Sequence, residues 1–555
     1  MSKNLSKLSG RKGLENNLFA RMGELSRENG TPPVEALKHL ADEFLMGEAS
    51  LYGTITFYDF MKPENKGKKA YVCNGSACLC AGTQDAVLEE LKKHLDAKEI
   101  GHMTCLGRCH ENGAFHYAGH NYSAKSPEEI ALILKGEGNW RDRYNVGALG
   151  TLVLTREFEG VKSYYAALPR LLAAGSEKIL EEIKKSKIRG RGGAGFPMGF
   201  KLEACHRASS DIKFIICNAD EGDPGAYSDR YLLEMQPHSV LFGMMMAGFA
   251  AGASHGILYI RAEYPESITA MEMAIDELRE EGLLGKNILG SDFDFEFKII
   301  RAQGAYICGE ETALINSIEG QRPEVRVRPP YPTTAGLYQK PTVVNNVETL
   351  AALHFILSNG GEAYARMGTD KSSGTKLISL DSAFNRPGIY EVEMGTPLSQ
   401  VFDELGRGYR KSLKAFHIGG PLGGLVPADK VDELTVDFES FSAHGFLLGH
   451  ASVVSIPVDF PVIDYLAHLF DFASYESCGK CFPCRLGTKR GYEMMLKARN
   501  KEYKINRELL EDLLVTLQAG SLCAHGGGIP LPVKNALKYF ENELSPYFET
   551  QSSAS

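Results

Sequence analysis

The sequence predicts a multidomain α/β protein that begins and ends in helices, and three observations carry that prediction. The chain has 555 residues, several domains' worth at about 100–200 residues each. From about residue 173 to 370, helical stretches alternate with short apolar runs such as FIICNAD and GILYIRA, as expected of a parallel or mixed sheet flanked by helices. The 12 cysteines are also unevenly spread, with eight falling into three tight clusters and one late singleton.

The elements follow in order. Residues 1–62 read as a helical segment: LENNLFARMGEL has helical periodicity, and TPPVEALKHLADEFL opens on a Thr–Pro–Pro start signal. Residues 63–140 read as a small α/β domain, with a strand in KKAYVCN, a helix in TQDAVLEELKKHLD and turn-rich β structure after it. Residues 141–172 read as a connector with one strand-like run, ALGTLVL, and 173–372 as the large α/β domain. Residues 373–455 change to short alternating runs and glycine turns, as in HIGGPLGGLVP, and predict a β-rich module. From 456 to 555 the pattern is helical, clearest in RELLEDLLVTLQAG and PVKNALKYFENEL, with the last residues, TQSSAS, expected as a disordered tail.

Hydrophobic residues make up 43% and charged residues 24%, ordinary for a globular protein, and a net charge of −9 favours neither nucleic acid nor an acidic membrane as partner. No apolar run reaches the roughly 18 residues of a membrane span. MSKNLSKLSGRKG lacks the apolar core of a secretory signal, and Glu15 argues against a mitochondrial address, so a cytoplasmic location is expected. In that setting clustered cysteines read as metal ligands before disulfides.

Cys73 and Cys78 stand in CNGSAC, and Cys105 and Cys109 in CLGRC. Two close pairs suit a 2Fe–2S centre, which takes two thiolates per iron, and the small residues between them let backbone N–H groups reach the sulfurs. Zinc or a pair of disulfides fits the spacing as well. Cys80 reads as packing, and His102, His110 and His116 as ordinary hydrogen-bonding residues. Cys478, Cys481 and Cys484 form CGKCFPC, and Cys523 follows in SLCAHGGG. CxxCxxC plus one remote cysteine is a 4Fe–4S pattern that zinc uses rarely. Arg485, just after the third cysteine, reads as a counter-charge or as a solvated helix start.

IRGRGGAGFPMGFK, residues 188–201, places five glycines ahead of a helix, so backbone N–H groups can approach a phosphate, with Arg191 and Lys201 adding charge. A flexible surface loop explains it equally well, and neither a GK[ST] nor a strand-borne GxGxxG is present. CNADEGDPGAYSDR and GAYICGEETALINSIEG add carboxylates that could meet ribose hydroxyls or a flavin ring. Taken singly, each reads first as an ordinary solvated turn and second as a ligand site.

In combination these segments carry a resemblance. GRGGAGFP, NADEGDPG, YICGEETAL, KPTVVNNVETL and ESCGKCFPCRLGT occur in the order found in the NADH-oxidising flavoprotein subunit of respiratory complex I and in the diaphorase subunits of NAD-linked formate dehydrogenases and hydrogenases. LYGTITFYDF, CNGSAC and CLGRC resemble the thioredoxin-like 2Fe–2S subunit of the same systems, here fused in front. The resemblance implies a thioredoxin-like domain, an FMN- and NAD-binding domain, a ubiquitin-like β-grasp module over 373–455 and a helical 4Fe–4S domain. It implies FMN contacts from Gly190, Arg191, Gly192, Gly193, Lys201, Asn218, Asp220 and Glu221, with Asn345, Asn346 and Thr349 on the phosphate side. Phe196 would stack on adenine, and Tyr306, Gly309, Glu310 and Glu311 would wall the nicotinamide. The cysteine sets would hold one 2Fe–2S and one 4Fe–4S cluster.

Three departures bear on the nucleotide. Asp223 stands where the family pattern commonly has Glu, Arg328 where it often has Lys, and Ala204 where an aromatic helps to sandwich adenine; NAD is the expected substrate. The implied reaction is NAD(H):acceptor oxidoreduction. Of the partners, a formate dehydrogenase catalytic subunit is expected first, on CLCAGTQ and SLCAHGGGIPLPVKNALKYF, and a hydrogenase or complex I-type enzyme second. A non-catalytic relay or scaffold subunit is the reading of a different class.

Overall fold

The computed structural model describes residues 13–29, 32–137 and 143–550. The address-like start, the Thr31 helix signal, the boundary at 140 and residues 551–555 of the expected tail lie outside the described residues.

Four strands, β1 (Ala70–Cys73), β2 (Ile100–Met103), β3 (Phe115–Tyr117) and β4 (His120–Tyr122), form a sheet in the order β2-β1-β3-β4, with β1 and β2 parallel. The 141–172 stretch, expected as a connector, is tied into the next module. Its strand β5 (Val146–Leu149) pairs parallel with Ile389–Val392. The buried Glu391 carboxylate then accepts the N–H groups of Val153, Leu154 and Thr155 at 3.0–3.1 Å. The reason is the sheet edge, whose free N–H and C=O groups need a partner that local sequence cannot name.

The large domain is built on β6 (Phe214–Ala219), β7 (His255–Ile260), β8 (Glu296–Arg301) and β9 (Thr342–Asn346), all parallel, in the order β8-β7-β6-β9. Alternate residues go to opposite faces. Ile215, Cys217, Leu258 and Val343 join the core that includes the buried helix Pro237–Ala251. On that side the helix lies so close to Val347–Ala351 that a Cβ on Gly243 would sit 1.9 Å from the Leu350 carbonyl oxygen. Ile216, Ile257, Tyr259, Ile300 and Val344 face the other way, onto Leu18, Phe19, Met22, Leu40, Phe44, Leu51 and Ile55. The N-terminal helices Leu18–Asn29, Val34–Glu43 and Glu48–Ile55 therefore form the second covering layer that a parallel sheet requires.

The β-rich module contains β10 (Thr375–Leu380), β11 (Gly388–Glu393), β12 (Leu413–Ile418), β13 (Gly424–Pro427) and β14 (Ser452–Pro457), and with β5 its order is β13-β12-β14-β10-β11-β5. Helices Val462–Tyr475, Phe482–Arg499, Arg507–Gly520 and Pro530–Tyr539 make up the C-terminal part. Among the described residues no helix is long and apolar enough to cross a membrane.

Candidate functional site

In the parallel sheet the chain runs from β6 outward through β7 and β8, then returns to the other side of β6 as β9. Ligands bind beyond the carboxyl ends of strands where the order reverses in this way. Asn218 and Asn346 are register partners on β6 and β9, and Asp220 and Glu221 follow β6 directly, so four predicted residues share that crevice.

Two of the predicted polar groups there are buried without a protein partner, Asp220 Oδ2 and Asn345 Nδ2. Burial drives the Asp220 carboxyl well above its usual range. Orphaned donors and acceptors of this kind await a polar ligand. Asn218 Nδ2 donates to the Gly309 carbonyl at 2.8 Å, and Asn346 caps the helix Val347–Ala351 and donates to Asp229 at 2.6 Å. The glycine loop closes on itself through Gly190 N–H to the Phe196 carbonyl at 2.8 Å. It docks on this crevice where Arg191 N–H donates to Thr349 Oγ1 at 2.8 Å and where Gly192 lies against the Asn346 side chain. Gly193 follows with φ +116°. The Arg191 guanidinium turns beneath the loop to Tyr364 and Ser373, leaving Nη1 buried and unpartnered.

Lys201 Nζ reaches Glu311 at 3.0 Å, and Arg328 reaches the other Glu311 oxygen at 3.1 Å, so that carboxylate bridges two cations. Glu310 instead caps the helix Glu311–Ile318, accepting from Thr312 N and Ala313 N at 2.9 Å. Glu221 has a similar duty: it accepts from Asp229 N and Arg230 N at the start of Ser228–Met235, while burial raises its carboxyl to about 7. Phe196 is 53% exposed, and Phe200, which sequence reasoning missed, is 66% exposed with its ring 6.5 Å away. Phe196 precedes the N-cap of Met198–Arg207 and Phe200 lies in its first turn, so the available signal for the second ring was an aromatic four residues after the first.

The first cysteine set converges at the end of β1. Cys105 and Cys109 sulfurs lie 3.5 Å apart, and the Cys73 thiol faces both Cys105 and Cys78. All four side chains are buried. Two N–H groups point at sulfur: Gly107 to Cys105 at 3.3 Å and, from the segment that follows β6, Gly225 to Cys109 at 3.2 Å. Arg261 Nη1 donates to the Cys105 and Glu221 carbonyls at 2.7 Å, and Arg230 Nη1 to the Gly107 carbonyl at 2.7 Å. The cysteine loops are thus locked onto the segment that follows β6.

In the second set, Cys481 caps the helix Phe482–Arg499, Cys484 lies in its first turn, and Cys523 caps Ala524–Gly528. Cys478, Cys481 and Cys523 all act electrostatically on Cys484, whose thiol burial pushes up to about 12. N–H groups of His525 and Gly526 oppose the same push on Cys523. Buried thiols become thiolates when metal charge compensates them, and helix N-termini favour the negative cluster. Arg485 donates to the Gly479 carbonyl at 3.2 Å and so closes the CGKC turn.

A cleft with unpartnered polar atoms at the reversal of a parallel sheet, flanked by two sets of cysteines, fits a flavin- and iron–sulfur-binding oxidoreductase component. Comparisons with known proteins give its family. The Nuo51 FMN-binding domain matches residues 183–354, the NADH-ubiquinone oxidoreductase-F iron–sulfur binding region 464–547, and the thioredoxin-like [2Fe-2S] ferredoxin 7–137. The NADP-reducing hydrogenase subunit HndC of Solidesulfovibrio fructosivorans is 40% identical over 388 residues, 69% of this chain and 79% of the relative. The NADH-quinone oxidoreductase-F protein of Escherichia coli is 38% identical over 393 residues, 70% of this chain and 88% of the relative. A crystal structure of an NAD+-reducing [NiFe]-hydrogenase in the H2-reduced state aligns with a TM-score of 0.84 at 27% identity, over 97% of this chain and 94% of that one. The chain belongs to the NADH-quinone oxidoreductase-F family, and it carries an FMN-binding domain, a 4Fe–4S-binding region and a thioredoxin-like 2Fe–2S domain.

Proposed function

We propose that the chain is the diaphorase subunit of a cytoplasmic NAD-linked formate dehydrogenase. The single observation behind the diaphorase reading is the pair of unpartnered buried atoms, Asp220 Oδ2 and Asn345 Nδ2, at the carboxyl ends of adjacent strands on either side of the sheet's reversal. FMN bound there supplies hydride exchange with a nicotinamide on one side and single-electron release to iron–sulfur clusters on the other.

The protein's part is positioning. Asn218, Asp220, Asn345 and the Arg191–Gly193 backbone hold the flavin. Phe196, joined by Phe200, presents an exposed aromatic face to adenine. Lys201 and Arg328 fix Glu311 at the nucleotide wall and offset its charge. Cys478, Cys481, Cys484 and Cys523 ligate the 4Fe–4S cluster, and Cys73, Cys78, Cys105 and Cys109 the 2Fe–2S cluster. The exposed Phe482, Leu486 and Leu522 beside Cys481 and Cys523 support docking of the electron-accepting subunit on that face. CLCAGTQ and SLCAHGGGIPLPVKNALKYF support formate as the partner's substrate. The end-to-end likeness to the hydrogenase chain favours hydrogen as the second reading.

Anaerobically purified protein should show flavin and iron–sulfur absorption that NADH bleaches, and Phe196→Ala should raise KM for NADH about tenfold with kcat little changed, from loss of roughly 1–3 kcal/mol of base stacking. Colourless protein containing zinc would end the diaphorase reading. Formate-dependent against H2-dependent NAD reduction by the co-purified complex separates the two partners.

A further inference from the structure

Asp223, Pro224, Gly225 and Ala226 form a tight turn closed by Ala226 N–H to the Asp223 carbonyl at 3.0 Å. Pro at the second position and Gly at the third with φ +97° make it a type II turn. In such a turn the N–H of the third residue points away from the closing bond, and here Gly225 N–H donates to Cys109 Sγ at 3.2 Å. No other N–H outside the cysteine loops is seen to donate to this sulfur set among the described residues. The turn is pinned at its first residue. Tyr306 OH donates to Asp223 Oδ1 at 2.7 Å, and His450 Nε2 lies 3.1 Å from Asp223 Oδ2. The contact is an ion pair when the ring is protonated.

We propose that His450 is a positioning residue for the 2Fe–2S centre: its imidazolium holds Asp223, and Asp223 holds the turn that delivers the Gly225 N–H to the Cys109 sulfur. This rests on the assignment of Cys73, Cys78, Cys105 and Cys109 as cluster ligands. A hydrogen bond to a ligand sulfur and a nearby positive charge both favour the reduced, more negative cluster. The reduction potential should therefore follow the state of His450.

The surroundings are compatible with a charged ring. Burial works to neutralise His450, but Asp223 and Glu221 outweigh it and hold it above its usual value, with Lys376 opposing. Asp223 stays below the usual carboxylate range because His450, Tyr306 and Arg261 outweigh its burial. Asp220 also faces Asp223, while His417 and His525 are held neutral by burial. Glu221 titrates in the same region, so its part must be separated from that of His450.

The test is a redox titration of the full-length, cluster-loaded protein, followed by EPR under conditions that resolve the two clusters. In His450→Ala the 2Fe–2S equilibrium at a fixed potential should move about tenfold toward the oxidised form, about 59 mV for a one-electron couple. The 4Fe–4S signal should not move. In the unsubstituted protein the 2Fe–2S potential should fall as pH rises through the raised titration range of His450 and the ring loses its proton. His450→Gln keeps a side-chain donor without the charge, so it should retain the cluster and show a smaller fall with pH, the remainder belonging to Glu221. An unchanged potential and pH slope in both variants, or equal movement of both clusters, overturns the proposal. A protein lacking any 2Fe–2S signal before substitution overturns the ligand assignment and the proposal with it.

Discussion

Lys376 and Glu348 are both out of reach of water, at 0% and 2% side-chain exposure, and they pair directly. Lys376 also donates to the Leu377 carbonyl, and Glu348 accepts Leu377 N–H at 3.0 Å, so the pair fastens β10 to the helix Val347–Ala351 that carries Thr349. Removing one partner strands the other charge. Lys376→Met should therefore lower stability by about 3–5 kcal/mol, and adding Glu348→Leu should restore much of the loss, as read by urea denaturation. None of this shows in a run such as GTKLISL, because the partner lies in another module. The same limit hid His450, Phe200 and the Gly225 N–H. The grouping of the cysteines was legible because each set is mostly local in sequence, whereas Asp220 and Asn345 were singled out only through the family resemblance of the motifs that hold them. Glu310 and Glu221, expected beside the nicotinamide and the flavin, also accept backbone N–H groups at helix starts, a duty that local sequence did not reveal.

At the scale of elements, helical periodicity located the N-terminal helices, yet it could not say what their apolar stripes cover. Their partner is the face of β6–β9, some 200 residues further along. Phe19 is fully buried there, with its ring 5.1 Å from Tyr58 and 6.3 Å from Tyr259. Phe19→Ala should cost about 3–5 kcal/mol. It should also weaken flavin retention, because the same strands carry Asn218 and Asn345 at their ends; flavin release on heating measures this against the unsubstituted protein. β5 shows the same limit in a strand: it lies at Val146–Leu149, so only the first two residues of the strand-like run ALGTLVL belong to it, and its pairing with β11 was not legible.

Across the whole molecule, the two sulfur sets flank the cleft from different modules and can be separated genetically. Cys523→Ser removes one corner of the second set without touching the first. The variant should lose the 4Fe–4S EPR signal, keep the 2Fe–2S signal and flavin, retain NADH-dependent dye reduction, and pass electrons to its partner at least about tenfold more slowly; loss of both signals would instead indicate collapse of the fold.

The N-terminal layer also carries a consequence for synthesis. Phe19, Phe44 and Ile55 leave the ribosome well before the strands they cover, and at about 5–20 residues per second the wait for β9 is on the order of 15–60 seconds. Until then their apolar faces have no native surface to meet, so the nascent chain passes through a sticky interval in which a holding chaperone would shield them.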